Sequence, residues 1–124
     1  MAAFQAEPDI HKAVTGFFEA TINTATGDAR GGCMMAAAAL GQSERVTEIR
    51  SCAAKAFTAS ADIFAKRFER EMKARRLPRT PSAKVRGRVL VDLLQGLQLR
   101  AKVGITREEL LEDARSYVPL ILGE

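Results

Sequence analysis

Few residues in this chain could take part in nucleophilic or acid–base chemistry. The 124-residue sequence has one histidine, His11, and two cysteines, Cys33 and Cys52. A thiol beside an imidazole can act as an activated nucleophile, but nothing in the spacing of these three residues places them together. Asp9 is two positions from His11, so the two side chains would not share a face of a helix. A single histidine also excludes any site that needs two.

The motifs of common catalytic and metal sites are absent from the sequence. It contains no Gly-x-Ser-x-Gly segment, no phosphate-binding P-loop and no metal-ligand spacing. Two cysteines are too few for a disulfide framework, and small buried thiols are their simplest interpretation. The sequence therefore predicts a protein that is not an enzyme and binds no metal or cofactor.

A second chemically distinctive feature is a group of cations between residues 73 and 88. No acidic residue lies between Glu71 and Asp92, and the whole chain has a formal net charge of +4. The cations could attract the phosphates of a nucleic acid, so a basic helical nucleic-acid-binding protein is the alternative function. No aromatic residue is interleaved for base stacking, which favours a solvated loop between two helix ends. The cations are Lys73, Arg75, Arg76, Arg79, Lys84, Arg86 and Arg88.

The length of the chain suits one compact domain over residues 1–124. No stretch approaches the roughly 18–20 continuous apolar residues of a membrane span. The first residues lack the basic start and apolar run of a signal peptide. We therefore predict a cytoplasmic protein that makes no membrane contact.

Apolar residues recur at helical spacing along most of the chain, whereas the alternation and hairpin turns of strands are lacking. We predict an all-α domain of five helices, packed as an orthogonal or antiparallel bundle. Thr106 and Glu109 form the clearest start signal, a capping box. Thr80 as N-cap, followed by Pro81, predicts the start of the preceding helix, and Gly104 predicts its left-handed end. The predicted helices cover residues 8–25, 33–40, 44–76, 80–103 and 106–122.

The last two predicted helices carry more apolar surface than the core of one small subunit needs. Gly87 and Gly96 would also let another backbone approach the fourth predicted helix closely. A second copy of the chain, related by a twofold axis, could cover this surface with the same residues. The residues predicted for this dimer interface are Val89, Leu93, Leu97, Leu111, Ala114 and Val118.

Two segments resemble the C-terminal domain of the TetR family of bacterial transcriptional repressors. The first is Gly-Gly-Cys-Met-Met-Ala-Ala-Ala-Ala-Leu over residues 31–40, followed by the long helix that stops at Leu77-Pro78. The second is Leu-Leu-Gln-Gly-Leu-Gln-Leu-Arg-Ala-Lys-Val-Gly over residues 93–104, followed by Thr-Arg-Glu-Glu-Leu-Leu over residues 106–111. With the helices between them, these segments cover most of residues 9–122. The family's N-terminal helix-turn-helix would lie ahead of residue 1.

The resemblance implies a homodimer whose last two helices pack against those of the partner as a four-helix bundle. It also implies a pocket for a small apolar effector, which controls DNA binding by a helix-turn-helix domain that is not in this chain. Methionine and phenylalanine side chains suit a loosely specific apolar pocket, although the same side chains could simply pack the core. A plain helical adaptor, the third interpretation, would dimerise without a pocket. The candidate pocket residues are Phe17, Phe18, Met34, Met35, Phe57, Phe64 and Phe68.

Overall fold

The computed structural model describes residues 1–27 and 46–124, and over these residues the regular structure is helical, with no strand. This confirms the all-α fold class. The helix predicted over residues 33–40 lies outside the described residues, and the first helix below was not predicted. In chain order the helices are α1 (Ala2–Ala6), α2 (Ile10–Thr26), α3 (Val46–Lys73), α4 (Ala83–Lys102) and α5 (Arg107–Leu122).

Local sequence signals separate α1 from α2. Glu7 is extended, with φ −70° and ψ 117°, as expected for a residue before a proline. Asp9 then caps α2, because its Oδ1 accepts a hydrogen bond of 3.1 Å from the backbone N–H of Lys12. The predicted first helix therefore begins at Ile10 rather than at Pro8.

The end of α3 is a left-handed turn at Arg75, whose φ is 60°. The N–H of Arg75 donates to the carbonyl oxygen of Met72 over 3.0 Å, and that of Arg76 donates to the carbonyl oxygen of Glu71 over 2.9 Å. These two bonds form a Schellman motif, in which the left-handed position usually holds glycine. The helix therefore ends at Lys73, three residues before the predicted end.

The predicted N-cap of α4 at Thr80 is wrong. Ser82 takes that role, since its Oγ accepts a hydrogen bond of 3.2 Å from the backbone N–H of Val85. Pro81 precedes the cap and is not the first helical residue. The carbonyl oxygen of Thr80 is engaged elsewhere, because it accepts a hydrogen bond of 3.1 Å from Nη2 of Arg86.

The predicted boundary between α4 and α5 is confirmed. Gly104 has a positive φ of 97°, which glycine adopts without steric cost. Thr106 then caps α5, because its Oγ1 accepts a hydrogen bond of 3.3 Å from the backbone N–H of Glu109. The helix continues past Pro119 to Leu122, and its C-cap Gly123 has a φ of 77°.

The pair formed by α3 and α4 is the most extensive helix contact in the described structure. The two backbones come close together at Gly87, where a Cβ would overlap the carbonyl oxygen of Ala61 and lie 3.3 Å from the Cβ of Ala65. This confirms the predicted close approach at Gly87. Gly96 differs, because nothing lies within 4 Å of the place its Cβ would take.

The hydrophobic core is built where α2 packs against both α5 and α4. Its phenylalanine side chains come from the first three helices, whereas α4 and α5 contribute aliphatic side chains. Core members on α2 include Val14, Phe18 and Ile22, and those on α5 include Leu110 and Ile121. Burying such side chains is the main favourable term in folding, so this core fixes the positions of the surfaces described next.

Candidate functional site

Three of the side chains predicted to line a pocket surround Phe4 of α1. We refer to these three, Phe17, Phe64 and Phe68, as the aromatic cage. The centroid of the Phe4 ring lies 5.7, 5.3 and 6.5 Å from their respective centroids, each pair edge to face. Aromatic rings favour this geometry. The space inside the cage is thus filled by Phe4, which is 2% exposed.

Phe18 and Phe57, the other candidate pocket residues that the structure describes, lie away from the cage. Phe18 is buried on α2, where its ring centroid is 6.2 Å from that of Tyr117 in α5. Phe57 is half-buried on α3 and lines a groove between α3 and α4. Met34 and Met35 lie outside the described residues.

Arg67 holds the C-terminal end of α1 against α3. Its Nη1 donates a hydrogen bond of 2.6 Å to the carbonyl oxygen of Phe4, and its Nη2 donates one of 2.6 Å to that of Glu7. Longer contacts of 3.4 Å reach the carbonyl oxygens of Gln5 and Pro8. The last carbonyls of a helix have no partner within it, and the helix dipole favours a cation there. One buried guanidinium therefore caps a helix that is too short to be stable alone.

Glu71 joins Arg67 to the turn after α3. Its Oε1 accepts a hydrogen bond of 2.8 Å from Nε of Arg67, and its Oε2 accepts one of 2.5 Å from Nε of Arg76. Burial by itself raises the pKa of Glu71, but the hydrogen bonds from Arg76 and Arg67 outweigh it and hold that pKa below the ordinary value of 4.5. We refer to Arg67, Glu71 and Arg76 as the carbonyl clamp. It carries two positive charges and one negative charge.

A second concave surface is an open groove of about 420 Å³ between α3 and α4. That volume is within the range of small-molecule sites. Half of its lining residues are charged, with both signs present, whereas a site for an apolar ligand needs mainly apolar walls. The groove is lined by Phe57, Thr58, Ala61, Asp62, Lys84, Arg88, Val91 and Asp92.

Four of the six predicted interface residues are already buried within the chain. They are Leu97 on α4 and Leu111, Ala114 and Val118 on α5. Because α2 packs against both helices, these side chains belong to the core of the subunit and need no second copy to cover them. Leu93 is half-buried, and Val89 remains 38% exposed.

The exposed apolar surface of α4 is a different stripe. Val85, Val89, Leu99 and Val103 are 46%, 38%, 51% and 74% exposed, and Gly96 lies exposed between them. With exposed Asp92, they follow one another at intervals of four and three residues, the spacing at which two helices pack side by side. We refer to these six residues as the α4 stripe.

The basic group between residues 73 and 88 does not form one continuous charged surface. Lys73 is paired with Glu69, with 3.5 Å between its Nζ and Oε1 of Glu69. Arg76 is paired with Glu71 in the carbonyl clamp. Arg86 is buried, and its Nη2 donates to the carbonyl oxygens of Pro78 and Thr80 over 2.9 and 3.1 Å. Burial lowers the pKa of Arg86. Nothing in the sequence distinguished this interior cation from its exposed neighbours.

The residues considered for catalysis are not brought together. His11 and Cys52 are both exposed, on α2 and α3, and Cys33 lies outside the described residues. Over residues 1–27 and 46–124, no three histidine, cysteine or acidic side chains are grouped so that they could bind a metal ion. None of the helices in that part of the chain combines the length and apolar character needed to cross a bilayer.

The chain matches no protein-family model, and searches of curated proteins and of solved structures found no similar protein. Its function is therefore inferred from the aromatic cage, the carbonyl clamp and the α4 stripe.

Proposed function

We propose that this chain is the effector-sensing and dimerisation domain of a TetR-like bacterial transcriptional repressor. Its partners would be a second copy of the chain, a small apolar effector and, through a helix-turn-helix domain outside this sequence, DNA. Such a domain would act in the cytoplasm, where the operator DNA is found. The observation that carries the proposal is the α4 stripe.

The α4 stripe has the features of a helix-pairing surface. Its alternating four- and three-residue intervals let apolar side chains of one helix fit between those of another. Exposed Gly96, with open space beyond it, allows a second backbone to approach closely. Asp92 is the one charged member, and in a helix pair its carboxylate would have to stay hydrated or be paired across the interface. A second copy supplies the same spacing, so an isologous pair covers both stripes at once.

The aromatic cage supports the effector-sensing part of the proposal. An effector changes the behaviour of a protein only by binding one of two conformations more tightly. A DNA-binding domain ahead of residue 1 would be connected to the rest of the chain through α1. Because Phe4 of α1 fills the cage, a change in the cage would be transmitted to the segment that leads to that domain.

Sedimentation of two matched variants tests the proposal. Wild type should be a dimer at micromolar concentration, and Val89→Glu combined with Leu99→Glu should be a folded monomer, because the interface would bury uncompensated charges. Ala59→Glu is the control, since Ala59 is exposed on α3, which is not one of the two helices expected at the interface; it should remain dimeric. A wild-type chain that stays a well-folded monomer at high micromolar concentration would refute the dimer.

A nucleic-acid-binding function is the second candidate. Arg75, Arg79, Lys84 and Arg88 are exposed and form no ion pair within the described structure, so they are available to phosphates. Gel mobility with random duplex DNA at low and high salt tests this function. Tight binding by this chain alone, with a steep loss at high salt and a weaker salt dependence in Arg79→Gln, would favour it over the first proposal.

A further inference from the structure

Phe4 presents its ring to the aromatic cage and its carbonyl group to the carbonyl clamp. The ring lies edge to face against the three cage rings, and the carbonyl oxygen accepts a 2.6 Å hydrogen bond from Nη1 of Arg67. The guanidinium carbon of Arg67 is also 5.6 Å from the centroid of the Phe4 ring, within the range of a cation–π contact. Because Cβ and Cα alone separate this ring from this carbonyl, the recognised fragment has the skeleton of 3-phenylpropanoate.

The donors of Arg67 favour an acid over a neutral carbonyl compound. Its Nη1 and Nη2 donate to neutral backbone carbonyl oxygens, and its Nε donates to Glu71. Glu71 is shared with Arg76, which is 56% exposed, so water screens the second positive charge. A ligand carboxylate at the position of the Phe4 carbonyl would accept charge-assisted hydrogen bonds from Arg67, which are stronger than those to a neutral carbonyl oxygen.

Docking of α1 depends on these same contacts. The helix has five residues and no side-chain cap at its start. Its N–H groups at Gln5 and Glu7 donate to the carbonyl oxygens of Met1 and Ala3, and so short a helix does not persist in water on its own. A competitor for the cage and the clamp would therefore release α1.

We propose that the aromatic cage and the carbonyl clamp form a binding site for arylalkanoic acids of the 3-phenylpropanoate class, and that α1 occupies this site as an internal competitor. The bound acid and docked α1 exclude each other, because the ring of Phe4 and the ring of the acid need the same space. This inference deepens the proposed function and rests on it, since it names the class of effector that the domain would sense.

Hydrogen exchange of the wild-type chain with 3-phenylpropanoate tests the competition. A saturating concentration of the acid should speed exchange of the Gln5 and Glu7 amides and slow exchange in α3 around Phe64 and Arg67. If Phe4 only filled the core and did not compete with the acid, adding the acid would not speed exchange of the α1 amides. Exchange of the α1 amides that is unchanged or slower, while the acid binds, would overturn the proposal.

Removing the internal competitor should raise the affinity for the acid. The apparent dissociation constant of the acid equals its intrinsic dissociation constant divided by the fraction of molecules in which the site is open. Phe4→Ala opens the site, so it should bind 3-phenylpropanoate at least about tenfold more tightly than wild type. Gln5→Ala is the matched control, because Gln5 lies on α1 but contacts Arg67 through its backbone carbonyl; it should bind like wild type. Where Phe4→Ala does not fold, Phe4→Leu makes the same comparison with a smaller non-aromatic side chain.

The chemistry of the site is tested with two analogues of the acid. In Phe4→Ala, 3-phenylpropan-1-ol lacks the carboxylate and should bind about tenfold more weakly, because charge-assisted hydrogen bonds are roughly twice as strong as neutral ones. 3-Cyclohexylpropanoate keeps the carboxylate but loses the edge-to-face contacts, so it should also bind more weakly. A folded Phe4→Ala chain that binds the acid without shifting the NMR signals of Phe17, Phe64 and Phe68 would refute the site.

The ligand and dimer proposals have separate measurements. A dimer that ignores 3-phenylpropanoate would contradict this inference and leave the α4 stripe as a pairing surface. A monomer that binds the acid and releases α1 would contradict the dimer and leave the ligand site intact.

Discussion

Replacing Gly87 and Gly96 by alanine, one at a time, tests how closely α3 and α4 approach each other. Both glycines lie inside α4, so either replacement should gain about 1 kcal/mol of helix propensity. At Gly87 the new Cβ would overlap the carbonyl oxygen of Ala61 and lie 3.1 Å from the backbone nitrogen of Ala65. Backbone atoms cannot rotate away, so the strain should reach the upper part of the roughly 1–3 kcal/mol range of overpacked sites. The net result for Gly87→Ala is a decrease of about 2 kcal/mol in the free energy of unfolding.

At Gly96 the added methyl group meets open space, so the free energy of unfolding should rise by the full helix-propensity gain of about 1 kcal/mol. The two variants should then differ by about 3 kcal/mol in the free energy of unfolding. Urea unfolding followed by circular dichroism measures this difference, at a protein concentration at which the chain is monomeric and with an unchanged slope m as the control. Equal midpoints for the two variants would refute the close approach at Gly87. At higher concentration, Gly96→Ala should also weaken the proposed dimer, because the added methyl group lies in the α4 stripe.

Three further substitutions, with Thr80→Ala as a control, probe the clamp and the helix ends. Glu71→Gln should destabilise the chain by about 3 kcal/mol at pH 7, because it leaves Arg67 buried without its carboxylate partner. The pKa of Glu71 is lowered below 4.5 in the folded chain. Its contribution to stability is therefore complete above that pH and is lost as the pH falls through the folded pKa. In urea titrations, the difference in free energy of unfolding between wild type and the variant should be smaller at pH 3 than at pH 7. Arg75→Gly should raise the melting temperature, because a left-handed conformation costs a non-glycine residue about 1 kcal/mol; an unchanged or lower melting temperature would contradict the left-handed turn. Thr106→Ala should lower the free energy of unfolding by about 1 kcal/mol, because α5 loses its cap. Thr80→Ala, at the position wrongly predicted as a cap, should not show this loss. Thermal unfolding of both variants measures the difference.

The features that the sequence predicted correctly are those that depend on neighbouring residues. The capping of α5 by Thr106 and the positive φ of Gly104 follow from interactions within a few positions along the chain. Long apolar periodicity likewise predicted α3 and α4, although their ends shifted where the local turn was not obvious. Arg75 in a left-handed conformation, for example, is not something that arginine itself signals.

The features that the sequence did not predict depend on residues far apart along the chain. A five-residue helix has no periodicity to detect, and α1 is held by Arg67, whose hydrogen bond to Phe4 spans 63 positions. Arg67 and Arg86 are buried, yet their sequence surroundings resemble those of surface cations. For the interface, an excess of apolar residues on α4 was visible, but their division between buried Leu97 and exposed Leu99 is set by the packing of α2 and α3 against α4.

The long separation between Phe4 and Arg67 has a consequence for synthesis of the protein. A ribosome adds roughly 5–20 residues per second, so Arg67 is made about 3–13 s after Phe4. Arg67, Phe64 and Phe68 all lie on α3, so α1 has no partner to dock on until α3 has been made. Docking of α1 is therefore a late step in the assembly of this core.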